Sequence, residues 1–404
     1  MMSMLLALVA VAPIAVAIIA YAIYPAALWV VTLRRKDTGA GVQPKTWPTL
    51  TITVPVYNAA SSIELTLSAL LALDYPKDRL QILVISDASN DGTDAIVQSF
   101  ADRGVELLRM PVRRGKTVAE NAALSVSRGD ILVNVDSTIL VPPDSLKKLI
   151  APFADPTIGV ASGRDVSVGD QNKTATHAES RYVGYEMWVR DLETRAGSIV
   201  GASGCFYAAR RSIHEANLPA GLSWDFASAL NAQAERYRSI SVREAICYVP
   251  RTAQIRTELK RKARTMARGL STLFYYRELM NPRQHGWFAV ALICHKLLRW
   301  IPYLLAPAAY IALGTLAAFD PVAMSLFVLV TIGVLLGITG IRWRRRAAPR
   351  VIALAGFLLA VFSAGFLAWY YALLDEPLAT WEPTTRPQTR SLDNQEGLNP
   401  QISV

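Results

Sequence analysis

The chain is short of charge, of histidine and of cysteine. Asp, Glu, Lys and Arg make up 18% of its 404 residues, against about 25% in an average soluble domain, while 52% are hydrophobic. So low a charge content argues against a wholly soluble protein. The three cysteines, Cys205, Cys247 and Cys294, are odd in number and widely spaced, which argues against a disulfide framework and suits a reducing compartment. The four histidines, at 177, 214, 285 and 295, show no metal-ligand spacing. Internal repeats and low-complexity runs are missing as well.

What the chain has in excess is uninterrupted apolar sequence. Residues 1–33 contain no Asp, Glu, Lys or Arg, and a helix needs roughly 20 apolar residues to cross about 30 Å of hydrocarbon. A cleaved signal peptide is the competing reading. The stretch lacks a basic n-region and a clear small-residue cleavage site, so a retained span with kink points at Pro13 and Pro25 is expected. Three more uncharged stretches, 300–319, 321–341 and 351–374, are each long enough to cross. Basic clusters mark the cytoplasmic side, and "RRK" (34–36) follows the first span while "RWRRR" (342–346) follows the third. The expected arrangement is a multi-pass protein of a bacterial-type inner membrane, with the N-terminus and the turn at Asp320 outside and residues 34–299 cytoplasmic. Strict counting would put the polar tail outside too.

The net charge of +10 is unevenly spread. Between Arg251 and Arg268 lie seven basic residues and one acidic, Glu258. A nucleic-acid patch is one reading of such a run. Arg261, Arg264 and Arg268 fall on one helical face with Leu259, Met266, Leu270 and Leu273 supplying apolar surface, which favours an interfacial helix beside anionic lipid headgroups and no nucleic acid.

Between the membrane segments, residues 47–250 read as a soluble α/β domain. Strand-like runs at 50–56, 80–86, 105–109 and 131–135 alternate with helical spacing at 60–73, 91–101 and 116–127, which predicts a mostly parallel sheet. Ligands bind such sheets beyond the carboxyl ends of the strands. Those ends carry Tyr57 and Asn58, "DASND" (87–91) and "DST" (136–138). The chain thus divides into an N-terminal span (1–33), an α/β domain (47–250), amphipathic interface helices (251–299), a C-terminal membrane region of two or three helices (300–374) and a tail (375–404).

These residues resemble the opening of membrane-bound family-two glycosyltransferases, whose catalytic domain has the Rossmann-like GT-A fold. "TVPVYN" (53–58), "SDASNDGT" (86–93), "RRGKTVAENAAL" (113–124) and the strand ending in "DST" occur in the family's order and spacing. The layout resembles the hyaluronan, chitin-oligosaccharide and cellulose synthase branch, and the likeness runs over roughly residues 47–300.

The resemblance implies roles residue by residue. Pro55, Tyr57, Asn58, Asp87 and Lys116 would bind the nucleotide-sugar donor, with Arg264 and Arg268 reaching its pyrophosphate. Asp136 matches the first carboxylate of the family's Asp-x-Asp pair, which holds Mg²⁺ or Mn²⁺, and Thr138 stands where the second would be. Read in isolation, Asp136 is more readily a strand-end turn residue and Lys116 has a surface lysine as its alternative, while Asp87 can serve a helix-opening turn and a ligand at once. Gly201, Ser203, Gly204 and Cys205 match the small-residue loop beneath the acceptor sugar. Asp225 matches the catalytic base, with Trp224 in place of the family's acidic neighbour; the alternative for Asp225 is a helix cap. The Gln-x-x-Arg-Trp motif of processive members is replaced by "RKARTMARG" (261–269), and "WEPTTR" (381–386) resembles a tail segment that lies on the cytoplasmic side in related transferases. That placement makes 351–374 either a third crossing or an interfacial segment.

The expected function is an inverting transfer of a sugar from a nucleoside diphosphate, with a UDP-sugar as the leading donor, to a saccharide or lipid-linked acceptor in extracellular or capsular polysaccharide synthesis. Transfer to a polyprenyl phosphate and a catalytically silent scaffold of an export machine are the alternatives. Four apolar segments are few for a polymer channel, so export would call for a homo-oligomer or a separate partner.

Overall fold

The structure, a computed structural model, describes residues 1–35, 44–168, 174–250, 255–343 and 348–374 and position 380. Strand β1 (Leu50–Val56) is buried along its whole length, as a strand with helices on both faces must be. It pairs in parallel with β2 (Leu80–Ser86) on one side and β4 (Ile131–Val135) on the other, and β3 (Val105–Arg109) extends the sheet beyond β2. Pairing with β4 stops at Thr53, so Pro55, which has no N–H to give, sits past the last shared rung on that side. The connecting helices are α2 (Ile63–Leu71), α3 (Thr93–Gln98) and α4 (Lys116–Leu124).

The second half breaks the parallel rule. After α5 (Ser145–Ile150) come β5 (Ile158–Val168), helix α6 (Thr174–Ala196), β6 (Phe206–Arg210), α7 (Trp224–Ala234) and β7 (Arg238–Pro250). The sheet order is β3-β2-β1-β4-β6-β5-β7, with β6 antiparallel to both neighbours and β5 parallel to β7. The reversed strand brings the loop before β6 back to the carboxyl end of β4: the Asp136 amide donates to the Cys205 carbonyl at 3.0 Å.

Among the described residues four helices are long and apolar enough to cross a membrane, which marks a membrane protein: α1 (Met2–Thr32), α9 (Pro282–Ala317), α10 (Pro321–Arg342) and α11 (Arg350–Leu373). In α1 the hydrogen-bond register shifts through a π turn at Ile19–Ile23 just before Pro25, whereas Pro13 is absorbed in regular helix. Helix α9 begins well before residue 300, breaks helical geometry at Gly286 and carries its own π turn at Ile293–Leu297. Helix α11 is one unbroken helix. The "WEPTTR" segment and most of "RWRRR" lie outside the described residues.

Helix α8 (Ile255–Tyr275) joins the two halves. Its Ala267 and Leu270 pack with Ala368 and Trp369 of α11. The face carrying Arg261, Arg264 and Arg268 turns toward the α/β domain, not outward to headgroups as its basic pattern suggests. Docking onto α11 uses the apolar stripe and fixes that orientation.

Candidate active site

A cavity of about 430 Å³ opens at the carboxyl ends of β1 and β4, closed on its far side by α8. Pro55, Tyr57 and Asn58 continue from β1, Asp136 and Thr138 from β4, and Lys116, Gly204, Cys205, Trp224, Asp225, Arg264 and Arg268 complete most of the wall. Twelve of the residues singled out from the sequence therefore meet in one place.

Lys116 is the first helical residue of α4, set there by Gly115, whose φ of 97° suits a residue without Cβ. Its ammonium donates to Asp136 Oδ1 at 2.7 Å and to the Gly204 carbonyl at 3.3 Å. Burial works against the charge, but Asp136 and Glu120 outweigh it and raise the Lys116 pKa. Asp225 occupies the first turn of α7, and its Oδ1 accepts from Ser223 Oγ at 2.5 Å. A Cβ at Gly204 would stand 2.9 Å from Asp225 Oδ2, so glycine is what lets the carboxylate lie against that loop.

Three of the proposed residues are elsewhere. Asp87 is fully buried and spends its oxygens on the amides of Arg114 at 2.7 Å and Gly115 at 2.8 Å. It shapes the loop in front of Lys116 and does not line the cavity. Ser203 donates to Asp165 Oδ1 at 2.6 Å from a buried position, and Gly201 lies against Lys296. Trp224 reaches the wall, but its indole is pinned by Asn121 Oδ1 at 2.8 Å and stacked on His214, with ring centroids 4.1 Å apart. Burial lowers the His214 pKa to about 3, so the stack is between neutral rings. The Tyr57 ring carries the Arg113 guanidinium at 3.8 Å.

Two carboxyls in the cavity were not anticipated: Glu120 and Asp165. Glu120 bonds Asn134 Nδ2 and lies 3.8 Å from Lys116, and its Oε2 is buried without a hydrogen-bond partner. Burial pushes its carboxyl up to about 7, with Lys116 and Arg268 acting in the other direction. The signal was present in the sequence, since Lys116 and Glu120 stand four apart on one helix face. Asp165, on the half-buried end of β5, joins the site only because β5 lies beside reversed β6.

Residues 51–218 match the family model described as Glycosyl transferase family 2. They form a family 2 glycosyltransferase domain. The most similar relatives include an N-acetylglucosaminyltransferase of Mesorhizobium japonicum, 28% identical over 175 residues, and a hyaluronan synthase of Streptococcus pyogenes, 30% identical over 175 residues. Each alignment covers 41% of this chain, and 40% and 41% of the two relatives respectively. Among solved structures, a mannosyltransferase from Pyrobaculum calidifontis, in complex with GDP-Man and Mn²⁺, superposes with a TM-score of 0.71 at 22% identity, over 93% of this chain and 100% of that one. That likeness establishes the GT-A fold, and it extends across the helices flanking the family 2 domain.

Proposed function

We propose that the protein is an inverting glycosyltransferase that moves a sugar from a nucleoside diphosphate to an acceptor hydroxyl at the cytoplasmic face of the membrane, in the synthesis of an extracellular polysaccharide. The observation that carries this reading is the placement of Asp225 and of the Lys116–Asp136 pair on the wall of one cavity in a family 2 domain. Tyr57 and Asn58 would hold the nucleotide. Lys116, Arg264 and Arg268 would face its diphosphate, because fixed cations suit charge that grows on the leaving phosphate. Asp225, braced by Ser223, would take the proton of the acceptor hydroxyl as its oxygen attacks the anomeric carbon from the side opposite the diphosphate. The nucleoside diphosphate leaves with the bonding electrons.

For a divalent ion the donor set is lean but sufficient. Among the described residues no cluster of three His, Cys, Asp or Glu side chains could hold a metal ion. Asp136 offers one carboxylate and Thr138 one hydroxyl; Mg²⁺ and Mn²⁺ commonly rely on one or two carboxylates plus substrate phosphates. A bound ion would supply positive charge at the diphosphate. Lys116, already on Asp136 Oδ1, would share that task, so chelation should weaken turnover and Asp136→Ala should do so more severely.

The test is release of nucleoside diphosphate by the purified full chain from a panel of UDP- and GDP-sugars with Mg²⁺ or Mn²⁺. Asp225→Asn should lower kcat by about 10²- to 10⁴-fold with donor KM little changed. Unaltered release by that variant would remove Asp225 as the base.

A further inference from the structure

Where α6 meets the membrane helices, six ionisable side chains are packed together. Glu186, Arg190 and Glu193 come from α6, and His295, Lys296 and Arg299 from α9. Most of this charge is internally matched. Arg299 Nη1 donates to Glu186 Oε2 at 2.6 Å, and Arg190 Nε lies 3.3 Å from Glu186 Oε1. His295 bridges the two acids, with Nδ1 2.5 Å from Glu193 Oε1 and Nε2 3.0 Å from Glu186 Oε1. Tyr24 of α1 adds a hydrogen bond to Glu193 at 2.7 Å. Arg190, Glu193, His295 and Arg299 are all buried.

The match is incomplete. Four basic side chains face two carboxylates, and among the described residues Lys296 makes no hydrogen bond or ion pair. Its ammonium lies 5.4 Å from the centroid of the Phe226 ring and would stand 3.4 Å from a Cβ at Gly201. Arg299, one turn further along the same face, keeps Nε and Nη2 buried without hydrogen-bond partners. Glu186 and Glu193 act on Lys296 only from beyond contact and are already engaged by Arg190, His295 and Arg299, and a cation inside a membrane-spanning helix without a contacting anion is costly. Phe226 directly follows Asp225, and Gly201 begins the loop that ends against that carboxylate at Gly204. The ammonium that lacks a contacting anion therefore sits between the membrane helices and Asp225.

We propose that Lys296, backed by Arg299, binds the phosphate of a membrane lipid, placing a lipid-borne acceptor so that its hydroxyl extends past Gly201 and Phe226 to Asp225. The direction of that extension rests on the reading of Asp225 as base; the phosphate site itself does not. A phosphate would supply the missing negative charge and accept from both side chains.

The test is native mass spectrometry of the full chain from mild detergent, exposed to phosphatidylglycerol or phosphatidylcholine, with nucleoside diphosphate release assayed in parallel. Wild type should retain phosphatidylglycerol in preference. Lys296→Gln should weaken that retention about tenfold, Lys296→Arg should restore it, and Arg283→Gln, on an exposed position of α9 outside the cluster, should leave it unchanged. Equal retention by Lys296→Gln and wild type, or no preference in wild type, overturns the proposal. Displacement of the lipid by millimolar inorganic phosphate would reassign the site to a free anion and overturn the lipid reading. Should retention behave as expected while no donor releases its nucleotide, the transferase reading fails and the lipid site stands.

Discussion

At the scale of single residues the sequence was most legible where chemistry demands one residue type at a strand end. Asp136, Asp225 and Lys116 could be picked out because their neighbours are ordered along the chain. Asp87 shows the limit of that approach: the motif identifies the carboxylate, but only its two backbone partners reveal that it organises the Arg114–Gly115 loop. Glu120 carries no strand-end motif, although it stands one turn after Lys116. Its raised pKa yields a prediction for stability. The native carboxyl titrates near 7 and the unfolded one near 4.5, so between those values the native state holds a proton that the unfolded chain has released. Stability therefore falls as pH rises through that window, by up to about 3 kcal/mol. Thermal unfolding from pH 5 to 8 should show this decline in wild type and a flatter profile in Glu120→Gln. Parallel profiles would mean that Lys116 and Arg268 keep Glu120 ionised throughout.

Among the elements, periodicity identified the early strands and helices but could not assign their faces. The basic stripe of α8 has the pattern of a headgroup-binding surface, yet α11 covers the apolar stripe and turns Arg261, Arg264 and Arg268 toward the cavity. Helix α11 in turn depends on close approach to α10, since a Cβ at Gly340 would stand 2.3 Å from the Ile352 carbonyl oxygen and 2.9 Å from Gly356 Cα. Small residues let membrane helices touch where lipid offers no hydrophobic drive to pack them. Gly340→Val should separate α10 from α11 at a cost of about 1–3 kcal/mol, lowering the melting temperature in detergent and, through α8, transferase activity. Nearer the chemistry, Gly204→Ala should push the Asp225 carboxylate aside. Its expected signature is a kcat reduced about 10- to 100-fold with an almost unchanged melting temperature. A normal kcat would show that the loop before β6 yields without moving the base.

For the whole molecule, the basic clusters predict that the turn at Asp320 faces outward and the α10–α11 connection inward. Exposed Phe319, substituted by cysteine, should be labelled by an impermeant thiol reagent in intact cells, and a cysteine at Trp343 only after lysis. The reverse pattern would invert the topology and place the catalytic domain outside. Composition alone determined that this chain meets a membrane, because uncharged stretches of such length have no stable place in water. Its ordered motifs pointed to the family and singled out Asp136 and Asp225, which the fold brings to one cavity, because strand-end loops are local and keep their spacing in sequence. Only the tertiary structure decided that β6 runs backward, that Asp165 and Glu120 share the cavity with Asp225, and that Lys296 is left without a contacting anion. Those outcomes depend on contacts between residues as much as 113 positions apart, and no local pattern records which distant side chain supplies or withholds the opposing charge.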